Sequence, residues 1–202
     1  MLAVVLKISV AIFAFLLGSI PFSYLVSKLF GHMDIRLVGS GNIGATNVTR
    51  NLGVKLGFTA LVFDFLKGFI ACWIGYEVGG LPFATWCGVF AVLGHCCTPF
   101  LRFHGGKGVA TSAGVIAFLM PQVLPWLVLI FFGTMILFRY VSISSIITAI
   151  SFPILAIVFN NPSYLVFVSL GLSSFVIYRH WSNIRKLING TEEKTKKRFL
   201  LF

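Results

Sequence analysis

Between short polar turns this chain is apolar over one stretch after another, and most of those stretches are long enough to cross a membrane as a helix. A crossing needs about 20 apolar residues, or about 17 at the short end. Of the 202 residues, 58% are hydrophobic and only 10% are charged, too few polar side chains to cover a soluble body of that size. Backbone groups in a bilayer must be satisfied within the protein, and the apolar runs are long and continuous rather than alternating. The chain therefore reads as an all-α integral membrane protein, one polytopic domain over residues 1–202.

Spans fall near residues 3–29, 55–76, 82–101, 109–121, 124–138, 141–158 and 163–178. The apolar run from Val109 to Leu137 is too long for one crossing, and Pro121 and Pro125 bracket a break in it. Glu77-Val78-Gly79-Gly80 and Asn160-Asn161-Pro162 read as turns. Lys7 before an apolar run looks like the start of a signal peptide. The run continues to about Leu29 without an A-x-A site, so a retained first span is expected.

Seven spans put the termini on opposite sides. If the segment around Gly39–Arg50 is cytoplasmic, only Lys7 and Lys67 of the sixteen Lys and Arg fall away from the inner face. That asymmetry orients the chain with its N-terminus outside and its C-terminus in the cytoplasm, and accounts for the net charge of +11 without a nucleic-acid partner. Polar segments at about 31–52, 102–111 and 179–202 then share the cytoplasmic face. Cys72, Cys87, Cys96 and Cys97 have no CxxC spacing and read as packing thiols, not as a disulfide framework or a zinc site.

Two of the polar segments suit an anion. In Gly39-Ser40-Gly41-Asn42-Ile43-Gly44-Ala45-Thr46-Asn47-Val48-Thr49-Arg50, the spacing of Gly39, Gly41 and Gly44 matches the dinucleotide fingerprint, but no strand precedes it and Asp64, at the right distance onward, lies in an apolar span. What remains is an amide-rich concavity with Ser40, Thr46 and Asn47 as neutral donors and Arg50 as a phosphate fork; a bare helix connector is the competing reading. In Phe103-His104-Gly105-Gly106-Lys107-Gly108-Val109-Ala110-Thr111, Gly108 stands where a P-loop needs Ser or Thr, which excludes a nucleotide P-loop. Glycines around a Lys at a helix start still suit a phosphate, although Lys107 alone could be an inner-face anchor.

In the tail, His180 and Asn183 share a face if the last span continues as a helix. Trp181 reads as an interface anchor, and Lys194 to Arg198 as contacts with anionic headgroups. Asp64 and Lys67 can pair within the second span, and His95 beside Cys96 and Cys97 reads as a hydrogen-bonded structural residue, with its nearness to the second glycine loop leaving a substrate role open. The only acidic residues are Asp34, Asp64, Glu77, Glu192 and Glu193, so neither a carboxylate dyad nor a metal cluster is present, and no His has an Asp five positions on. An enzyme built this way works by positioning and electrostatics.

Taken together, the segments resemble the bacterial acyl-phosphate:glycerol-3-phosphate acyltransferases, the PlsY family. The likeness rests on Gly39 through Asn47 with Arg50, on Gly94-His95 and Phe103 through Thr111, on His180, Asn183-Ile184, Leu187 and Gly190-Thr191-Glu192, and on Asp64-Phe65-Leu66-Lys67-Gly68. Thr98 stands where the family usually has Pro, and Lys186 where it usually has Arg. The resemblance implies transfer of a fatty acyl group from acyl phosphate to the 1-hydroxyl of sn-glycerol 3-phosphate, giving lysophosphatidate and phosphate as the first step of phospholipid synthesis. Ser40, Arg50, Lys107, His180 and Asn183 are then the catalytic set. Gly41, Asn42, Gly44, Thr46, Asn47, Gly105, Gly106, Gly108 and Thr111 hold substrate, and Asp64, Lys67, His95 and Glu192 are structural. No metal or cofactor is implied; the partners are the two substrates and membrane lipid, and the expected unit is a monomer in the bacterial inner membrane. A small organophosphate transporter is the alternative, but it wants charge at the midplane and an internal repeat, and neither is visible.

Overall fold

The computed structural model describes residues 1–195, and all regular structure among them is helical. In chain order the helices are α1 (Leu2–Ser19), α2 (Phe22–Phe30), α3 (Ala45–Leu52), α4 (Val54–Cys96), α5 (Val109–Leu119), α6 (Leu124–Phe138), α7 (Val141–Val158), α8 (Ser163–Arg179) and α9 (Trp181–Ile188). Leu2–Ser19, Val54–Leu101 and Val141–Val158 are long and apolar enough to cross a membrane; α5, α6 and α8 are shorter apolar helices. The chain forms two compact units, Met1–Leu119 and Met120–Phe202.

In the first unit the expected span over 3–29 is broken. Pro21 has no N–H to give to the helical ladder, so α1 stops at Ser19 and α2 restarts at Phe22. The break turns two carbonyls out of the ladder in an apolar setting, where bare polar groups are costly. Thr98 Oγ1 donates to Ser19 O at 2.7 Å and Lys67 Nζ donates to Ile20 O at 2.9 Å. Thr98 thus supplies a hydrogen bond that a proline there could not.

The helix α4 is two arms, because Gly79 and Gly80 leave helical geometry and Gly80 takes a φ of 67° that favours glycine. The turn expected at Glu77–Gly80 is there, and the arms lie side by side, Gly75 against Ala84 and Cys87, Gly88 against Cys72. Helices close in the same way elsewhere: Gly18 on the Ala91 backbone, Gly94 on Phe15 O, Gly68 on Thr111 O and Gly114 on Phe65 O. Without a hydrophobic drive between helices in lipid, small residues at such crossings let backbones approach and gain dispersion contact.

A paired substitution tests this. Gly94→Ala sets a methyl against backbone and is expected to lower stability by about 1–3 kcal/mol. Gly133→Ala meets nothing within 4 Å among the described residues. It is expected to be neutral or to stabilise by about 0.5–1 kcal/mol, with thermal unfolding in detergent separating the two.

Residues 109–137 divide as the prolines require, into α5 and α6. In the second unit α6 and α7 meet at Arg139, which takes a left-handed φ of 63°, and α7 turns into α8 through Asn160-Asn161-Pro162. Asn161 donates its backbone and side-chain N–H to Ala156 O, at 3.1 Å each, and so closes that turn. After α9 the chain folds back, with Thr195 N donating to Arg139 O at 2.7 Å and Arg139 Nη2 donating to Thr195 O at 3.2 Å. Lys194 Nζ sits over the Tyr140 ring at 5.5 Å; Lys196, Lys197 and Arg198 lie outside the described residues.

Candidate active site

The first polar segment is a folded loop rather than an open string of donors. Ile35, Ile43 and Val48 are buried with Val26 and Ala60, so its apolar residues anchor it over α2 and α4. Asp34 caps the short turn Ile35–Leu37, and Arg36 clamps its carboxylate at 2.9 and 2.7 Å. That hydrogen-bonded guanidinium holds the Asp34 carboxyl down at about 2.

The centre of the loop is Asn47, 1% exposed in the first turns of α3. Its Nδ2 donates to Ile35 O, Val38 O and Asn42 O at 3.0–3.1 Å. Its Oδ1 accepts from Ser40 N at 3.2 Å and Asn51 Nδ2 at 3.0 Å. Asn47, expected to hold substrate, is therefore occupied in shaping the loop. Gly39 and Gly41 take φ of 57° and 70°, and this carries the chain around that side chain. Ser40 is left exposed at the tip, its Oγ accepting from Asn42 N at 3.4 Å, and the half-buried Arg50 stands one turn past Asn47 on α3. Thr46 begins α3, after Gly44.

The second loop docks on the end of α4. Gly105 N donates to Cys96 O and Gly106 N to His95 O, both at 3.1 Å. Those two amides, expected to cradle a phosphate, are committed to α4. What the glycines provide is closeness: a Cβ on Gly105 would strike the His95 and Cys96 backbone, and one on Gly106 would strike the His95 ring. Gly108, at φ 85°, then turns the chain into α5, and its carbonyl accepts from Ser112 N at 2.7 Å. Lys107 is half-buried at that helix start. Thr111 Oγ1 and Ser112 Oγ are buried with no hydrogen-bond partner among the described residues.

Beneath this loop lies a buried polar cluster. Asp64 Oδ2 accepts from Ser23 Oγ at 2.8 Å, Asp64 Oδ1 faces Lys67 Nζ at 2.8 Å, and His95 Nδ1 lies 3.5 Å from the same oxygen. Lys67 is the ion partner of Oδ1, and neither contact to this oxygen is a well-aligned hydrogen bond.

The third segment belongs to the second unit. The last span does not run on through His180, as the shared-face reading assumed; the chain breaks there, and His180 O accepts from both Asn183 N and Ile184 N at 2.9 Å to start α9. His180 is 2% exposed, and its Nδ1 lies 2.7 Å from Val176 O. A carbonyl only accepts, so Nδ1 carries a proton. Asn183 Nδ2 donates to Glu192 Oε1 at 2.8 Å, and Ser142 Oγ donates to the same oxygen at 2.8 Å. Glu192, itself held from α7, thus orients Asn183. The Lys186 side chain is exposed, while its carbonyl accepts from Thr191 N at 2.8 Å. Trp181 is exposed, with the Arg185 guanidinium over its ring at 5.5 Å.

The family model described as glycerol-3-phosphate acyltransferase matches residues 8–190. The chain belongs to the glycerol-3-phosphate acyltransferase family. A glycerol-3-phosphate acyltransferase of Syntrophomonas wolfei is 44% identical over 183 residues, which cover 91% of this chain and 94% of that one. The Bacillus subtilis relative is 44% identical over 185 residues, covering 92% and 95%. A solved structure of PlsY, an integral membrane glycerol 3-phosphate acyltransferase, in its glycerol 3-phosphate form superposes with a TM-score of 0.90 at 41% identity, covering 97% of this chain and 98% of that one. Its lysophosphatidic acid form gives 0.89 at 40%, with the same coverage. This acyltransferase is thus an all-helical integral membrane protein, as its sequence led one to expect, and phospholipid synthesis fits it.

Two features of this glycerol-3-phosphate acyltransferase escaped sequence reasoning. Ser142 carried no motif and reaches Glu192 only through the fold of the second unit. The nearness of His95 to the second loop is legible along the chain, but the packing of its ring under Gly106 is not.

Proposed function

We propose that this protein transfers a fatty acyl group from acyl phosphate to the 1-hydroxyl of sn-glycerol 3-phosphate. The hydroxyl oxygen bonds to the acyl carbon, the bond from that carbon to the phosphate oxygen breaks, and the hydroxyl proton leaves on the departing phosphate. The products are lysophosphatidate and inorganic phosphate. Because the mixed anhydride is already activated, the protein's work is to align two anions against their repulsion and to stabilise the developing oxyanion.

The observation that carries this reading is the second loop. Its glycines seat it on α4, which brings the half-buried Lys107 to the start of α5 just before two buried hydroxyls, Thr111 Oγ1 and Ser112 Oγ, that no described protein group satisfies. Buried polar atoms of that kind favour a polar ligand. Ser40 and Arg50 on the first loop, and His180 and Asn183 in the second unit, complete the proposed catalytic set. Gly41, Asn42, Gly44, Thr46, Gly108 and Thr111 are the proposed substrate-holding residues of the first unit. Four of the five acidic residues have named partners in the protein: Asp34 with Arg36, Asp64 with Lys67, Glu77 with Trp73, and Glu192 with Asn183 and Ser142. That favours the leaving phosphate as the proton acceptor.

The protein is proposed to cross the bacterial inner membrane seven times as a monomer, N-terminus outside, with its site on the cytoplasmic face where Lys and Arg concentrate. Purified protein given labelled glycerol 3-phosphate is expected to form product with acyl phosphate and not with acyl-CoA or acyl-carrier protein. Product from a thioester donor and none from acyl phosphate would sink the donor assignment. Lys107→Ala is expected to lose about a hundredfold or more in kcat/KM while still inserting in membranes.

A further inference from the structure

His95 is too well placed to be only a buried histidine. Its carbonyl accepts from Gly106 N at 3.1 Å, and its ring lies directly under the same glycine: the three atoms nearest to a Cβ added at Gly106 are all ring atoms, Nε2, Cε1 and Cδ2. The opposite edge of the ring turns Nδ1 to Asp64 Oδ1 at 3.5 Å. Asp64 is itself immobile, held by Lys67 at 2.8 Å and by Ser23 on α2 at 2.8 Å, and Lys67 is tied on to Ile20 O. The ring therefore lies between a carboxylate held by Lys67 and Ser23 at one edge and the second loop at the other.

We propose that His95 is a positioning residue for acyl transfer: packed under Gly106 beside the Asp64 carboxylate, its ring sets the height of Gly106 above α4 and with it the placement of Lys107. The proposal rests on the reading of the second loop as substrate-holding. Lys107 is the next residue along the chain, so a shift of Gly106 moves the start of α5 with it. A displacement near 1 Å in a positioned group costs about a hundredfold in rate. The same contact accounts for glycine at 106, whose φ is not in the left-handed region: another residue is excluded there by the His95 ring and not by backbone strain.

This makes a rescue experiment possible, in purified full-length protein assayed with acyl phosphate and glycerol 3-phosphate. Gly106→Ala drives a methyl into the ring and is expected to lose about a hundredfold in kcat/KM. His95→Asn keeps an amide where Nδ1 faces Asp64 and removes the ring atoms that the methyl would strike. The double variant H95N/G106A is expected to regain at least about tenfold over G106A, with H95A/G106A regaining less because it also gives up the contact with Asp64. H95N alone is expected to raise KM for glycerol 3-phosphate more than it lowers kcat, because it loosens the loop and leaves the polar groups in place.

Regain of activity cannot come from misfolded protein, and each variant is checked for monodispersity and unfolding midpoint. Loss of activity in G106A without regain in either folded double variant overturns the positioning role. Full activity in G106A overturns both that role and the assignment of the second loop to the site.

Discussion

Asn47→Asp is expected to abolish acyl transfer, at least about a hundredfold in kcat/KM, in protein that still inserts and remains monodisperse. The side chain keeps its size, so the effect comes from hydrogen bonding and charge alone. Nδ2 now donates to three backbone carbonyls spread from Ile35 to Asn42. A carboxylate oxygen in its place would face those carbonyls at the same 3.0–3.1 Å and have nothing to give them. Val38 O keeps the N–H of Gly41, but a buried carbonyl left unmet, as at Ile35 O, costs about 1–3 kcal/mol, and the added charge has left water at a further cost. The loop relieves this by opening, and Ser40, whose amide rests on Oδ1, moves with it. Steady-state assay and limited proteolysis near Gly39 should change together. Wild-type activity in Asn47→Asp would mean that the loop is shaped by something else.

Lys67→Met is expected to cost about 3–5 kcal/mol of stability, the usual penalty for leaving one member of a buried ion pair alone. The loss falls on three places: Asp64 loses its counter-ion, Ile20 O loses a donor, and His95 loses a fixed neighbour on which to orient. Removing both charges, by adding Asp64→Asn to Lys67→Met, should recover much of the deficit. The side-chain amide introduced by Asp64→Asn still offers an oxygen to the Ser23 hydroxyl, and neither charge of the pair remains buried. The unfolding midpoint in detergent reads this directly, and a double variant no more stable than the single would show that the ion pair is not what the single substitution breaks.

How much of this was legible in the chain depends on distance. The helices, the turn at Glu77–Gly80 and the break between α5 and α6 follow from local signals, glycine, proline and apolar length, and they appear where expected. The first-span break at Pro21 was equally local and was outweighed by the apolar run on both sides of it. The short helix α3 was hidden in a segment dominated by its glycines, and α9 in a basic tail.

The site divides in the same way. Residue types told of an anion, but not which donors were available. Asn47 and the amides of Gly105 and Gly106 look like ligand groups until tertiary contacts show them bonded to Val38, Cys96 and His95 carbonyls. A sequence shows that a group can donate. Only the packed chain shows to whom.

The break between α1 and α2 also bears on how the protein is made. Ser19 O and Ile20 O receive their side-chain donors from Thr98 and Lys67, 79 and 47 residues later in the chain. A ribosome delivering residues in order releases this first hairpin corner long before either donor exists. In the interval Ile20 O has the backbone N–H of Phe22, but Ser19 O lacks the donor it has in the folded protein. A chain stalled before Thr98 therefore has its first two helices made and the bend between them still missing a hydrogen bond, however apolar its opening run is.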